Sequence, residues 1–375
     1  MNPIAVMKYG SVSALSPNLT WENYLTHKSF IQEDKNAYKG KLHVENIQAL
    51  EKLKTEIPLY KELDISVLMA ILSARKTLQD YTSKGLLGIN IGSSRGATTL
   101  FEKHYEYFLK YDQAQPLTSP TTTLGNISSW VGQDLQQKHI PFSHSITCST
   151  SFHGILNAIA WLESSMCDQF LVGGTEAPLT PFTIAQMKAL RVYSKWDDSQ
   201  FPCQSLNFEK DQNTMVLGEG AATFLLEKEN PKALAHITGI GFATETIQHH
   251  VAVSEDAQCF QESMKMALKK AHLKTVDAIV MHAPGTKKGD SSEYLAIQKT
   301  FDNLPFLTSN KWKIGHTFGA SGTLSLEMAL LMLQYDQAIE VPCSSLVQKN
   351  PASLKNIMIN AIGFGGNAVS LIISK

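Results

Sequence analysis

The sequence predicts an α/β protein, and three observations carry that prediction. Short apolar runs of strand length alternate with helically patterned segments along most of the chain. Two helical segments, Ile155–Leu162 and Leu324–Leu333, are apolar nearly all round, which places them inside the protein. Each follows a glycine-flanked turn carrying a reactive side chain, Cys148 in one case and His316 in the other. Strands alternating with helices argue for layers of helix on sheet. The repeated arrangement is a weak sign of internal duplication, with no sequence identity joining the halves.

In chain order, Ile4–Met7 reads as a strand and Gly10-Ser-Val-Ser as its turn. Residues 18–62 are polar and form a surface excursion with partial helix. Asp64 is an N-cap for a helix over Ile65–Leu78. Leu86–Ile91 is a strand, 112–124 a Pro/Thr/Ser-rich loop, and Asn126–Gln137 a helix. His144–Thr147 is the strand that delivers Cys148, and Phe170–Val172 is the next, ending in Gly-Gly-Thr-Glu-Ala. Residues 186–214 read as irregular, and Leu217-Gly-Glu-Gly-Ala-Ala opens a strand over Thr223–Leu226. A second set begins near His236, and the domain boundary is set between 232 and 233, giving halves 1–232 and 233–375. Its elements are strands at His236–Ile240 and Ala278–Met281, helices near Ala257–Ala271 and Glu293–Thr300, and closing strands Ile357–Ile362 and Val369–Ile373. Gly363-Phe-Gly-Gly366 joins the last two.

Composition narrows the function classes. A chain of 375 residues, 43% hydrophobic, can bury a large core. Net charge is −1 and the pI is about 6.9, so no basic footprint for nucleic acid is present. Five widely spaced cysteines without a CxxC pair argue against a disulfide framework and a zinc site, and fit a reducing cytoplasm. The N-terminus lacks the pattern of a signal peptide, and Glu327 interrupts the best apolar run, so the expectation is a soluble cytoplasmic protein with no metal.

The most informative stretch is Ser145–Gly154, in which a β-rich run meets a cysteine and then a helix. A helix N-terminus favours a thiolate, which would activate Cys148 as a nucleophile; the plain alternative is a buried structural cysteine. His282 stands directly after a strand and before a Pro-Gly turn, and His316 among glycines that permit close backbone approach. Taken singly, His282 is better explained as a turn residue and His316 as a satisfied core histidine. Gly363–Gly366 is a flexible turn or a source of backbone donors for an oxyanion. It is no phosphate loop, because the GxxxxGK[ST] spacing is absent.

Taken in order, the motifs say more than their parts. Cys148 in an elbow, Gly-Gly-Thr-Glu-Ala, Gly-Glu-Gly-Ala-Ala, His282 with Gly289-Asp290, Lys311 five before His316, and Gly-Phe-Gly-Gly together resemble the elongating, Cys-His-His β-ketoacyl-acyl-carrier-protein synthases. The resemblance spans nearly the whole chain. It implies the thiolase fold, two βαβαβ halves in a five-layer αβαβα arrangement, with the two apolar helices as the middle layer. It implies that Cys148 takes an acyl chain as a thioester, and that His282 and His316 handle the malonyl thioester during decarboxylative condensation. Lys311 would support the second histidine electrostatically. The N–H groups of Cys148 and Phe364 would form an oxyanion hole, with the Phe364 ring as a gate. Partners would be acyl carrier protein and a second subunit, identical or related, and no cofactor is implied.

Several positions depart from the family pattern. His282-Ala-Pro-Gly285-Thr286 replaces the usual His-Gly-Thr, Asn207-Phe208-Glu209 the usual Pro-Phe-Asp, and Gln212 the usual arginine. Ser325 stands where a glutamate usually partners the lysine, with Glu327 two further on, and Gly366-Asn367 lacks the intervening Thr. These departures suggest a specialised pathway, such as aryl-polyene or flexirubin pigment synthesis, rather than housekeeping fatty-acid synthesis. The rivals are a non-catalytic chain-length-factor-like subunit and an acyltransferase or hydrolase on the same fold. Lys188, Arg191 and Lys195 are the candidate dock for an acidic carrier protein, against an ordinary solvated helix face.

Overall fold

The computed structural model describes residues 1–375 except 36, 82–84, 125, 137–138, 196–199, 229 and 247–252. Ten strands of the described chain form one mixed sheet: β1 (Ile4–Val12), β2 (Leu87–Gly92), β3 (His139–Phe142), β4 (Gln169–Glu176), β5 (Gly220–Glu227), β6 (Ala235–Thr244), β7 (Ala278–Val280), β8 (Phe306–Thr308), β9 (Asn356–Gly363) and β10 (Asn367–Ser374). Their order is β8-β7-β9-β10-β6-β1-β5-β4-β2-β3. Cut between β1 and β6, it becomes two sets, β1-β5-β4-β2-β3 and β6-β10-β9-β7-β8, the same order advanced by five. The strand senses repeat as well. The first two pairings of each set are antiparallel and the last two parallel. The sets join through three residue pairs, Ile4–Val6 of β1 against Ala235–Ile237 of β6.

Eight helices matter here: α1 (Ile65–Thr77), α2 (Thr98–Tyr111), α3 (Asn126–Leu135), α4 (Thr150–Glu163), α5 (Pro181–Ala189), α6 (Gln258–Ala271), α7 (Lys287–Thr300) and α8 (Ser321–Tyr335). On one outer face α1 covers β5, β1 and β4, and α3 covers β2 and β3. On the other, α6 covers β6 and β10, and α7 packs on α6. Between the two strand sets lie α4, on β4 and β2, and α8, which touches β9, β5 and α4. The result is the five-layer αβαβα arrangement of the thiolase fold. Every residue of α8 from Ser321 to Leu333 is buried, as its lack of a polar face requires. Gly322 lies at the α4 crossing, where an added Cβ would meet the Phe152 ring at 2.6 Å.

The structure corrects several boundaries. β1 runs on through Gly10 to Val12 instead of turning there. An added Cβ at Gly10 would meet Lys76 Cβ and Ser73 O of α1 at 2.7 Å, so this glycine serves close helix–strand approach. The strand expected at His144–Thr147 lies earlier, at His139–Phe142. Side chains tie the following segment in place of a ladder: the Ser143 hydroxyl bonds Ile91 O at 3.1 Å, and the His144 ring bonds Asn90 and the Thr150 carbonyl. A helix from Thr98 to Tyr111 was not foreseen, and Thr118–Thr122 is a short helix inside the expected loop. α5 takes up the start of the segment expected to be irregular, and α7 begins six residues early, capped by the Thr286 hydroxyl. The end predicted for α3, Gln137, lies outside the described residues. No helix of the described chain is long and apolar enough to cross a membrane.

Candidate active site

Cys148 occupies the turn that leads into α4. Thr147, immediately before it, has φ 47°, a left-handed conformation that is strained for a β-branched residue. Its carbonyl accepts from the Thr150 hydroxyl at 2.6 Å, and its own hydroxyl donates to Phe364 O at 3.3 Å. His282 follows β7. Its N–H donates to Glu293 Oε1 and that of Ala283 to Oε2, both at 2.9 Å, so one carboxylate from α7 holds the turn. Ala283 has φ 24° where the family pattern has glycine. His316 stands between a four-residue helix, Lys311–Ile314, and α8. Its N–H donates to Val216 O at 2.7 Å and its carbonyl accepts from Gly218 at 3.0 Å. The Gly-Glu-Gly motif therefore packs against the His316 segment, not against the cysteine turn. Phe318, two residues on, has φ 40°. Each reactive side chain thus sits one or two residues from a left-handed non-glycine residue.

These segments bring three predicted residues together. Cys148 Sγ lies 3.3 Å from His316 Nε2. The His282 and His316 rings stand edge-to-face with centroids 5.0 Å apart. Cys148, His282 and His316 are 6%, 4% and 2% exposed. Both Nδ1 atoms lack a protein partner among the described residues. A cavity of about 270 Å³ opens onto all three, walled by Leu190, Val192, Met215, Phe260, Ile362 and Phe364. Phe364 is 42% exposed at its rim, in the turn joining β9 to β10. An added Cβ at Gly363 would come within 3.0 Å of the Cys148 amide nitrogen and 1.8 Å of Thr147 Oγ1, so only glycine lets this turn approach the nucleophile turn.

Burial governs the electrostatics. It pushes the Cys148 thiol up to about 12, with Glu176 adding to the rise and Lys311 and Arg95 opposing it. The thiolate expected from the helix N-terminus is therefore not the resting form. Burial, reinforced by Lys311, lowers His316 to about 3 and drives His282 well below the ordinary imidazole value. The resting pair is a thiol beside a neutral imidazole. Lys311 itself is lowered by burial to about 8. It bonds Asn310 Oδ1 at 2.9 Å and Ser325 Oγ at 3.0 Å. Glu327 faces elsewhere, where the Ser11 hydroxyl donates to it.

Sequence reasoning missed how the site is braced. The Glu176 carboxylate, within the motif already noted, accepts from the Ser93 hydroxyl and from the N–H groups of Ser94, Arg95 and Gly319 at 2.8–3.1 Å. It clamps the loop after β2 to the segment after His316. The cavity walls were not legible, because they come from four separate stretches. Lys188, Arg191 and Lys195 are exposed and flank Leu190 and Val192 of the cavity wall. Among the described residues no group of three or more His, Cys, Asp or Glu is arranged to hold a metal ion.

The family description "Beta-ketoacyl synthase, N-terminal domain" matches residues 7–232, and "Beta-ketoacyl synthase, C-terminal domain" matches 234–342. The chain belongs to the β-ketoacyl synthase family. This synthase is 27% identical to the 3-oxoacyl-[acyl-carrier-protein] synthase 2 of Coxiella burnetii, across 99% of this chain and 98% of that one. The ishigamide ketosynthase/chain length factor superposes on the synthase with a TM-score of 0.87 at 18% identity, covering 100% of this chain and 99% of that one. A ketosynthase in complex with its chain length factor from Xenorhabdus doucetiae gives 0.81 at 20% identity, covering 100% and 98%.

Proposed function

We propose that this synthase is an acyltransferase that condenses an acyl group held on Cys148 with a malonyl group delivered by acyl carrier protein. The observation that carries this reading is the 3.3 Å contact between Cys148 Sγ and His316 Nε2, with the His282 ring beside it in an apolar cavity. In acylation, Sγ attacks the acyl thioester carbon as His316 Nε2 takes the thiol proton. The carrier thiolate leaves and recovers that proton. The Cys148 and Phe364 N–H groups hold the carbonyl oxygen of the acyl-enzyme, and the Phe364 ring covers it.

In condensation, the malonyl thioester carbonyl lies against His282 and His316. The bond to its carboxylate breaks, carbon dioxide leaves, and the electron pair forms an enolate stabilised by the imidazole N–H of His282. The enolate carbon attacks the acyl carbonyl, and the Cys148 thiolate departs and takes up a proton by way of His316. Neutral imidazoles suit both steps, and burial beside Lys311 favours that state. A hydrolase would need a water in place of the malonyl group, and the pair of histidines beside Cys148 favours the condensation.

A partner subunit, identical or related, is part of the proposal. Among the described residues β3 stands at the end of the sheet, hydrogen-bonded to β2, and α2 turns Phe101, Tyr105, Phe108 and Leu109 outward. An edge strand and exposed aromatic surface each favour association. The intact nucleophile and histidines favour the catalytic subunit over a chain-length-factor role. We place the reaction in the cytoplasm and in a specialised polyene, pigment or polyketide pathway, on the departures at Ala283, Gln212 and Ser325. Lys188, Arg191 and Lys195 dock the acidic carrier protein, a reading supported by their place beside the cavity wall; charge reversal there that leaves carrier binding intact would remove it. The test of the main reading is intact mass after incubation with a panel of acyl-carrier proteins. A mass gain absent from Cys148→Ala supports it; no gain with any chain, alone or with a co-expressed partner, overturns it.

A further inference from the structure

Lys311 is held unlike a lysine in a salt bridge. Its Nζ is buried and donates to two neutral oxygens, Asn310 Oδ1 at 2.9 Å and Ser325 Oγ at 3.0 Å. The Ser325 hydroxyl donates to Asn310 Oδ1 at 3.3 Å, closing a triangle around the ammonium. Among the described residues no carboxylate forms an ion pair with it.

The charged and titratable groups that act on Lys311 are Glu293, Cys203, Cys148 and Asp290, and Lys311 in turn acts on His282 and His316. None of these neutralises it by contact. Glu293 spends both oxygens on the N–H groups of His282 and Ala283 and on Asn360 Nδ2. Asp290 is paired with Lys210 at 2.9 Å. Cys148 and Cys203 are thiols that burial keeps protonated. His282 faces His316 and Lys311, and Glu176 and Arg95 act on Cys148 from the far side.

We propose that Ser325 and Asn310 are positioning residues that hold the Lys311 ammonium on neutral oxygens, so that its charge stays directed at His282 and His316 and keeps both rings unprotonated. The inference rests on the reading of Cys148, His282 and His316 as the condensing machinery. Its physical reason is simple. His316 Nε2 must be free to accept the thiol proton, and an uncancelled positive charge opposes protonation of a neighbouring imidazole. A carboxylate in contact with Nζ would cancel most of that field. Serine at 325 therefore tunes the site instead of merely omitting a charge.

The test is the pH profile of carbon dioxide release from malonyl-acyl carrier protein. Asn310→Asp is nearly isosteric and puts a carboxylate where Oδ1 now touches Nζ; Ser325→Glu does so from α8. In the wild type the rate should be level through neutral pH and fall only well below about 6.5, where the histidines begin to protonate. Either substitution should move that acid limb up by about one pH unit or more. Ser325→Thr, which keeps the hydroxyl, should retain the wild-type profile. Folded Asn310→Asp and Ser325→Glu proteins with unshifted limbs would overturn the proposal. An NMR titration of the histidines in the wild type and in Lys311→Met works even if neither carboxylate variant folds: a wild-type ring that protonates at or above about 6.5, or rings no easier to protonate without the ammonium, would sink the idea, and rings that take up a proton at higher pH without it support it. A wild type that neither acylates Cys148 nor releases carbon dioxide overturns the functional reading itself, whereas an active wild type with unmoved variants overturns this inference alone.

Discussion

The two halves share one strand order and one pattern of strand senses, yet they supply different chemistry. In the first, the chain reaches the middle layer through Cys148 and enters α4. In the second it passes His316 and enters α8, while His282 stands at the end of β7. The outer helices differ too. No residue of α1 is exposed, because the excursion before it, α3 and the Thr98 region cover it, whereas α6 keeps Glu262, Lys265 and Lys269 in solvent. The repeated topology places a turn at the same depth twice, and the local residues then decide whether that turn carries a nucleophile or a base.

Separating the halves by chemistry should produce the largest effects. Cys148→Ala should lower acyl uptake at least about 10³-fold while leaving malonyl decarboxylation measurable. His282→Ala should do the reverse, keeping acyl uptake by intact mass but slowing carbon dioxide release by about 10²–10³. Equal losses in both assays for either variant would break the comparison.

The next effect tests the link between halves. Lys210 and Asp290 are paired at 2.9 Å with side chains 2% and 0% exposed. Lys210→Met leaves a buried carboxylate uncompensated and should cost about 3–5 kcal/mol in urea unfolding, most of it recovered on adding Asp290→Leu.

A third prediction concerns pH. Burial raises Glu327 to about 7, and its Oε2 has no partner among the described residues. The folded carboxyl then binds a proton that the unfolded one releases between about 4.5 and 7, so stability falls as pH rises through that window. Glu327→Gln should lessen that slope, to which Glu176 and Glu293 also contribute, and gain roughly 2–3 kcal/mol above pH 7, read from unfolding curves across pH. An unchanged slope would show that Glu327 ionises freely.

The smallest effect is at Ala283, whose φ of 24° suits glycine. Ala283→Gly should be neutral or stabilising by less than about 1 kcal/mol, and a fall in melting temperature would mean that the methyl packs.

Much of this was legible because glycines, caps and apolar periodicity are local signals. Asp64 caps α1 through the Ser66 amide as its position suggested, and the reactive residues stand out by their place at strand ends and among glycines. The strand before Cys148 was misplaced because His144 and Ser143 satisfy the backbone through side-chain contacts that β-propensity does not record. The thiolate expectation failed for a different reason. A helix terminus adds a modest stabilisation, whereas burial among apolar walls removes solvation of the whole charge.

By itself the sequence determined the alternation of strands and helices and the two buried helices, since these follow from side-chain chemistry and local backbone preference, while Cys148, His282, His316 and Lys311 were singled out by the ordered motifs that resemble the family. Only the tertiary structure decided that Glu176 and Glu293 brace the site and that Lys311 rests on neutral oxygens. Those features depend on groups far apart in the chain being packed together in a medium with little water, where each distance and each lost hydration shell resets the charge state of its neighbours.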